Sequence, residues 1–238
     1  MTSFDTFVRT HQELVTQFPV RNVSETPKYF AVIVEPREHP NFEFVCKTIL
    51  RFTNSDWGLH VFHGTSNESF VKSKLQDIPH IRYTNLNVSN LSIHDYNKLL
   101  SSSWFYEQIQ CTKCLIFQTD SCLLKEGIQD FIQYDYIGAP WPFHNNRVGN
   151  GGFSIRDVEK CKLICTQFQR PIHMNEDVFF SIAMEKIEAN IAPYEQACAF
   201  SCENIPAYSL PLGVHQKPQY IRVDLDALFK QNFISSIT

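Results

Sequence analysis

Residues Cys114–Cys122 read CLIFQTDSC, four apolar residues running directly into Gln-Thr-Asp. A short apolar run bounded by polar residues is the mark of a buried strand. A carboxylate at the carboxyl end of such a strand lies on the rim where open α/β sheets bind their ligands. Asp120 is therefore either the cap of the turn leaving the strand or a group that meets a hard cation or a phosphorylated ligand.

The stretches before it repeat the theme. Lys28–Glu35 (KYFAVIVE) is a β-branched and aromatic run stopped by Pro36 and reads as a first strand. A helix follows, with Pro40 near its start and Phe42, Val45, Ile49 and Phe52 on one face. Gly58–Gly64 and His80–Thr84 read as a second and an edge strand, Asp95–Ile109 as one or two helices, and Phe4, Phe7 and Val8 as part of a short N-terminal helix. Alternating strands and helices imply βαβ units and a mostly parallel, Rossmann-type α/β sheet with flanking helices. That sheet would set Glu35, Arg37, the Gly64–Asn67 loop and Asp120 along one rim.

The second half reads differently. Tyr134–Pro142 (YDYIGAPWP) is short and extended, and Ser154-x-x-Asp157 resembles a capping box before a helix carrying Val158, Cys161, Cys165 and Phe168. Asn175 is placed to cap a helix whose inward face would hold Val178, Phe179, Ile182 and Ile187. Ala197–Asn204 reads as strand, Pro211–Pro218 as a loop, and Tyr220–Phe233 as a strand followed by a short helix. A small antiparallel extension is expected here. With no linker or repeat, residues 1–238 read as a single domain: a nucleotide-binding part over about 28–125 and an acceptor and metal part over about 126–220.

Composition narrows the function. Hydrophobic residues make up 43% and include 20 Phe, enough for a large core. A net charge of −4 offers no basic field for nucleic acid. The eight Cys contain one C-x-x-C, Cys111 and Cys114, with no second pair at zinc spacing, and read as reduced thiols. No apolar run approaches the roughly 20 residues that span a bilayer, and the polar start, MTSFDTFVRTHQELV, lacks a signal-peptide core. The expectation is a cytoplasmic protein without a membrane segment.

Several residues are chemically suggestive, each with a plainer alternative. Glu176 and Asp177 in a first helical turn gain about 0.5 kcal/mol from the dipole, and the same field holds a carboxylate ionised as a general base requires. Gly149, Gly151 and Gly152 fit a tight turn, or a wall against which a sugar ring lies. Trp141 between two prolines is a core residue or a stacking platform. His215 is a solvated loop residue or, with Asp120, the nitrogen ligand of an Mn²⁺ or Mg²⁺ site, with Lys217 beside it to neutralise a phosphate.

Taken in order, QTDSCLL, YDYIGAPWP, GNGGFSIR, NEDVFF and LGVHQKP resemble a poorly characterised family of glycosyltransferase-like domains of GT-A type. The likeness runs from about Tyr29 to Pro218, and IVEPR and Asn67 share in it. It implies a GT-A fold, a divalent metal, a nucleoside-diphosphate sugar donor (UDP-sugar favoured), and a glycan, glycoprotein or small-molecule acceptor. Residue by residue, Asp120 matches the metal-binding Asp of the Asp-x-Asp motif, with Gln118 replacing the first Asp. The other register would put Cys122 at the metal, a poorer donor for a hard cation. His215 matches the late metal-binding His, and Glu176-Asp177 the acidic pair whose second member is the base of inverting enzymes. Gly151, Gly152 and Trp141 would line the sugar site, and Glu35, Arg37, Asn67 and Lys217 would contact nucleotide and phosphates. The resemblance implies metal-dependent, inverting glycosyl transfer. The rivals are a non-catalytic nucleotide-sugar or glycan-binding domain and a metal-dependent phosphoesterase.

Overall fold

The computed structural model describes residues 2–20, 23–143 and 148–236. Helix α1 (Ser3–Gln17) opens with a reciprocal cap: the Asp5 amide donates to Thr2 Oγ1 at 3.1 Å and the Thr2 amide to Asp5 Oδ2 at 2.8 Å. It runs well beyond the short helix that the apolar cluster suggests, because His11 and Val15 continue the buried stripe of Phe4, Phe7 and Val8. Then come β1 (Tyr29–Glu35), α2 (Phe42–Phe52), β2 (Trp57–His63), α3 (Glu68–Lys74), β3 (Arg82–Asn85), α4 (Ile93–Leu100), α5 (Ser103–Glu107) and β4 (Lys113–Phe117). The chain continues through β5 (Ser121–Leu123), β6 (Tyr136–Gly138), β7 (Phe153–Asp157), α6 (Val158–Gln167), α7 (Glu176–Lys186), α8 (Tyr194–Phe200), β8 (Ser201–Cys202), β9 (Gly213–His215) and α9 (Leu225–Ser235).

Among the described residues the main sheet has six strands in the order β3-β2-β1-β4-β7-β6. The first four are parallel, and β7 is antiparallel to both β4 and β6. Every residue of β1 and β2 is buried, which explains their unbroken apolar runs: helices cover both faces. Along β1, Tyr29, Ala31 and Ile33 enter one core and Phe30, Val32 and Val34 the other. The first core is packed by α1, α2, α8 and α9, the second by α4 to α7. Each fully buried Phe in these layers contributes about 2–3 kcal/mol. Edge-to-face contacts such as Phe7–Phe229 (5.1 Å) and Phe52–Phe233 (5.6 Å) lock α1, α2 and α9 together. The α/β fold with a mostly parallel central sheet and flanking helices is thus as the sequence implies.

The second half departs from its reading in detail. Ser154 lies within β7, and the cap of α6 is Asp157, whose Oδ1 accepts from the Lys160 amide at 2.9 Å. The buried face of α7 is Phe179, Phe180, Ala183 and Met184, with Val178 and Ile182 only partly covered. The segment 197–204 is mostly the end of α8, strand only at Ser201–Cys202. The stretch between Pro211 and Pro218 holds β9, which pairs antiparallel with β5 and parallel with β8. The extension is therefore a mixed sheet, β5-β9-β8. No strand forms at Tyr220; a single 3-10 turn, Pro218–Tyr220, leads to α9.

Candidate active site

The apolar run of β4 ends at Phe117, and the chain reverses at once into β5. Ser121 ties the turn: its hydroxyl accepts from the Gln118 amide at 2.8 Å and donates to the Gln118 carbonyl at 3.0 Å. Asn41, at the start of α2, donates from Nδ2 to the Thr119 carbonyl at 3.2 Å and to Asp5 Oδ1 at 3.0 Å. These bonds fix Asp120 at the carboxyl end of the parallel strands.

Antiparallel pairing of β5 with β9 sets Ser121 opposite His215, and the Gln216 amide donates to the Asp120 carbonyl at 2.8 Å. His215 Nε2 consequently lies 3.3 Å from Asp120 Oδ1, and His215 Nδ1 lies 3.5 Å from Glu203 Oε1. The imidazole and Glu203 are buried, whereas Asp120 is about a third exposed. Burial opposes charge on both Asp120 and His215. Their mutual attraction, aided at His215 by Glu203, outweighs it: the Asp120 carboxyl is held below its ordinary range and the imidazole is lifted to about 9. The contacts are ionic rather than well-aligned hydrogen bonds. Asp120 Oδ1, both His215 ring nitrogens and Glu203 Oε2 are buried without a hydrogen-bond partner.

Four orphaned polar atoms in one place ask for a ligand. Asp120 Oδ1 and His215 Nε2, one hard oxygen and one imidazole nitrogen, suit Mn²⁺ or Mg²⁺, which takes few protein ligands and fills its shell with water and phosphate oxygens. Among the described residues no group of three or more His, Cys, Asp or Glu is arranged to hold a metal, so substrate oxygens would complete the shell.

Across the cleft, α7 begins at Glu176. Asn175 stands at the N-cap position, as expected, but makes no capping bond through its side chain. The cap comes instead from α4, where Asn97 Oδ1 accepts from the Glu176 amide at 2.8 Å. Glu176 and Asp177 then have opposite fates. Arg156, fully buried, donates to Glu176 Oε2 at 2.7 Å and to Oε1 at 3.1 Å, and reaches the Tyr106 hydroxyl at 3.0 Å. Glu176 is thus held in a bidentate ion pair with Arg156. Asp177 accepts from the Val178 amide at 2.8 Å and from the Gly151 amide at 3.2 Å, leaving lone pairs free. Burial, and then the neighbouring Glu176 charge, push its carboxyl up to about 6.

The glycine run explains how these groups meet. A Cβ on Gly151 would lie 2.4 Å from Glu176 Oε1, and one on Gly152 would lie 2.2 Å from His215 Cε1. The missing side chains make room for the chain's own acid pair and imidazole as much as for any ligand.

Together these residues line a cleft of about 470 Å³. Glu35 and Arg37 join it at the end of β1, bound to each other through Arg37 Nε (2.8 Å) and NH2 (2.9 Å). Gln118, Gly151 and Gly152 also line it. Three expected contacts do not. Asn67 is buried and braces loops, accepting from the Gly64 amide and donating to the carbonyls of Glu35 and Arg37. Trp141 is buried and stacks on Phe143. Lys217 donates to Asn204 Oδ1 and lies over the Tyr220 ring. Glu203, Asn97, Arg156 and Tyr96 were not foreseen as site residues. Tyr96 presents a buried hydroxyl with no partner to the cleft.

Comparison with known proteins bears on the fold. A family model described as "Protein of unknown function (DUF5672)" matches residues 80–218. No curated protein matches the chain. Among solved structures, mouse xyloside xylosyltransferase 1 superposes with a TM-score of 0.54 at 9% identity, over 82% of this chain and 100% of the other. The glycosyltransferase GlyE of Streptococcus pneumoniae superposes with a TM-score of 0.53 at 11% identity, over 89% of this chain and 64% of its own. At such identities the likeness establishes the fold, that of GT-A-type glycosyltransferases. No helix among the described residues is long and apolar enough to cross a membrane.

Proposed function

The chain belongs to the DUF5672 family, and we propose that its cleft transfers a sugar from a nucleoside-diphosphate donor, UDP-sugar first among them, to an acceptor hydroxyl. One observation carries the reading. A pair of orphaned metal-type ligands, Asp120 and His215, and a half-buried carboxylate raised to about 6, Asp177, converge in one cleft at the carboxyl ends of the parallel strands. The names of the similar structures, both sugar transferases, favour the same chemistry.

Each group has a definite task. Asp120 and His215 would hold a divalent cation, Mn²⁺ or Mg²⁺, which would supply Lewis-acid stabilisation of the charge on the departing diphosphate. Arg37 spends two nitrogens on Glu35 and has further donors for ribose or phosphate oxygens. Asp177 takes the acceptor O–H proton as that oxygen bonds the anomeric carbon and the bond to the diphosphate breaks, with inversion. A base near 6 is mostly ionised at neutral pH yet still basic enough to draw the proton. Arg156 holds Glu176, and through it the first turn of α7, so that Asp177 meets the acceptor in a fixed orientation.

The acceptor class is a glycan, glycoprotein or small molecule bearing a free hydroxyl. A phosphoesterase running on two metals needs a denser ligand cluster than the described residues supply. The test incubates the full chain with a panel of UDP- and GDP-sugars and Mn²⁺ and follows nucleoside diphosphate and the anomeric configuration of the product. Release that stops in D120A and D177N supports the reading. Donor binding without any release makes the protein a sugar-nucleotide receptor, and release of inorganic phosphate makes it a phosphoesterase.

A further inference from the structure

Glu203 has no part in the scheme above, yet it is a carboxylate 6% exposed inside the cleft. It directly follows β8, whose Cys202 pairs with Val214, so the parallel ladder brings it beside His215. Its Oε1 faces His215 Nδ1 at 3.5 Å while Nε2, the other ring nitrogen, faces Asp120. The ring itself has little freedom. Gly152 packs so closely on it that a Cβ there would lie 2.3 Å from Nε2. Once a cation displaces the Nε2 proton, a carboxylate behind Nδ1 keeps the remaining proton on Nδ1 and leaves the Nε2 lone pair facing forward.

We propose that Glu203 is a positioning residue: with its carboxylate 3.5 Å behind Nδ1 of His215 it holds the ring proton and the ring angle that aim Nε2, with Asp120 Oδ1, at a divalent cation. The proposal rests on Asp120 and His215 being the metal-binding pair. It assigns to Glu203 no direct bond to the metal. The plainer alternative is a buried counter-charge that merely holds the small sheet together.

The experiment titrates Mn²⁺ into the full-length protein and reads free Mn²⁺ by electron paramagnetic resonance, with no sugar nucleotide present. Melting temperatures are recorded beside each titration. Removing a partner of this kind weakens metal affinity about 10–100-fold. E203A is expected to lose that much while still melting cooperatively. E203Q keeps a carbonyl acceptor for Nδ1–H without the charge and is expected to stay within about threefold of wild type. E203D keeps the charge but draws the acceptor back from a contact already 3.5 Å long, and is expected to weaken binding as E203A does. E203D carries the test if E203A does not fold. Wild-type affinity in E203A or E203D overturns the proposal, as does E203Q binding as weakly as E203A, which would make the charge or direct ligation the role. If wild type and D120A alike bind no Mn²⁺, in a repeat titration with UDP present as well as in its absence, the metal-binding pair itself is refuted and the positioning role falls with it.

Discussion

Asp177→Asn should make the protein inactive and, above neutral pH, more stable. The folded state lifts this carboxyl to about 6 from its ordinary 3.8, with burial the largest cause and the Glu176 charge the next. A raised carboxyl pKa means that the folded state favours the protonated form. The penalty for ionising it is absent below about pH 4, grows as pH rises through the interval, and is complete above about 6. Two units correspond to about 3 kcal/mol. The amide loses part of that gain: Asp177 accepts from both the Val178 and Gly151 amides, and Asn can satisfy only one of them with its oxygen. The mismatch costs about 1–2 kcal/mol. The net gain is about 1–2 kcal/mol, or roughly 2–8 °C in melting temperature for a chain of this size. Thermal melts of both proteins at pH 4 and pH 8 read it directly. The variant should gain at pH 8 relative to its own difference at pH 4, while transfer falls about 10²–10⁴-fold. Equal differences at the two pH values would show that the carboxylate is not held at a cost. Undiminished transfer would remove Asp177 as the base.

Other consequences are simpler to read. In wild type, transfer at low substrate should rise tenfold per pH unit below about 6 and level off above it, as Asp177 loses its proton; a flat profile between pH 5 and 7 contradicts the assignment. Glu176→Ala strips the partner from a fully buried Arg156 and should cost about 3–5 kcal/mol, seen as a drop of roughly 6–20 °C in melting temperature. A drop of 1–2 °C would mean the pair is not the anchor of α7. Gly152→Ala pushes a methyl into the His215 ring and should weaken Mn²⁺ binding at least tenfold, measured calorimetrically, with Asp177 chemistry unaltered in its pH midpoint.

Much of the first half is legible because buried parallel strands write themselves as unbroken apolar runs. β1, β2 and β4 fall within a residue or so of where KYFAVIVE, GLHVFHG and CLIF place them. Short strands made by their partners are not legible. β9 is three residues among prolines, and only its ladder with Ser121–Leu123 makes it a strand. The same ladder turns His215 from a loop residue into a buried one. Glu203 had no local signal at all, since its place depends on β8 lying beside β9. Glu176 and Asp177 are adjacent in sequence and chemically alike, and what separates them is Arg156, twenty residues away. Trp141, Asn67 and Lys217 show the limit of reading residue types: each is polar-handled or aromatic near the cleft in sequence, yet each is absorbed by a local partner.

The segment matched by the family model starts at residue 80, after β1 and β2 have been laid down. It therefore contains the residues that would do chemistry and not the scaffold that presents them. β4 needs the ladder Phe30–Cys114 to Ile33–Phe117 along one edge before its last residues can aim Asp120 at the cleft. A polypeptide cut to 80–218 would leave that edge bare and its apolar faces uncovered, a template for sticking to other chains. The same cut would also remove Glu35 and Arg37, which line the cleft from the end of β1.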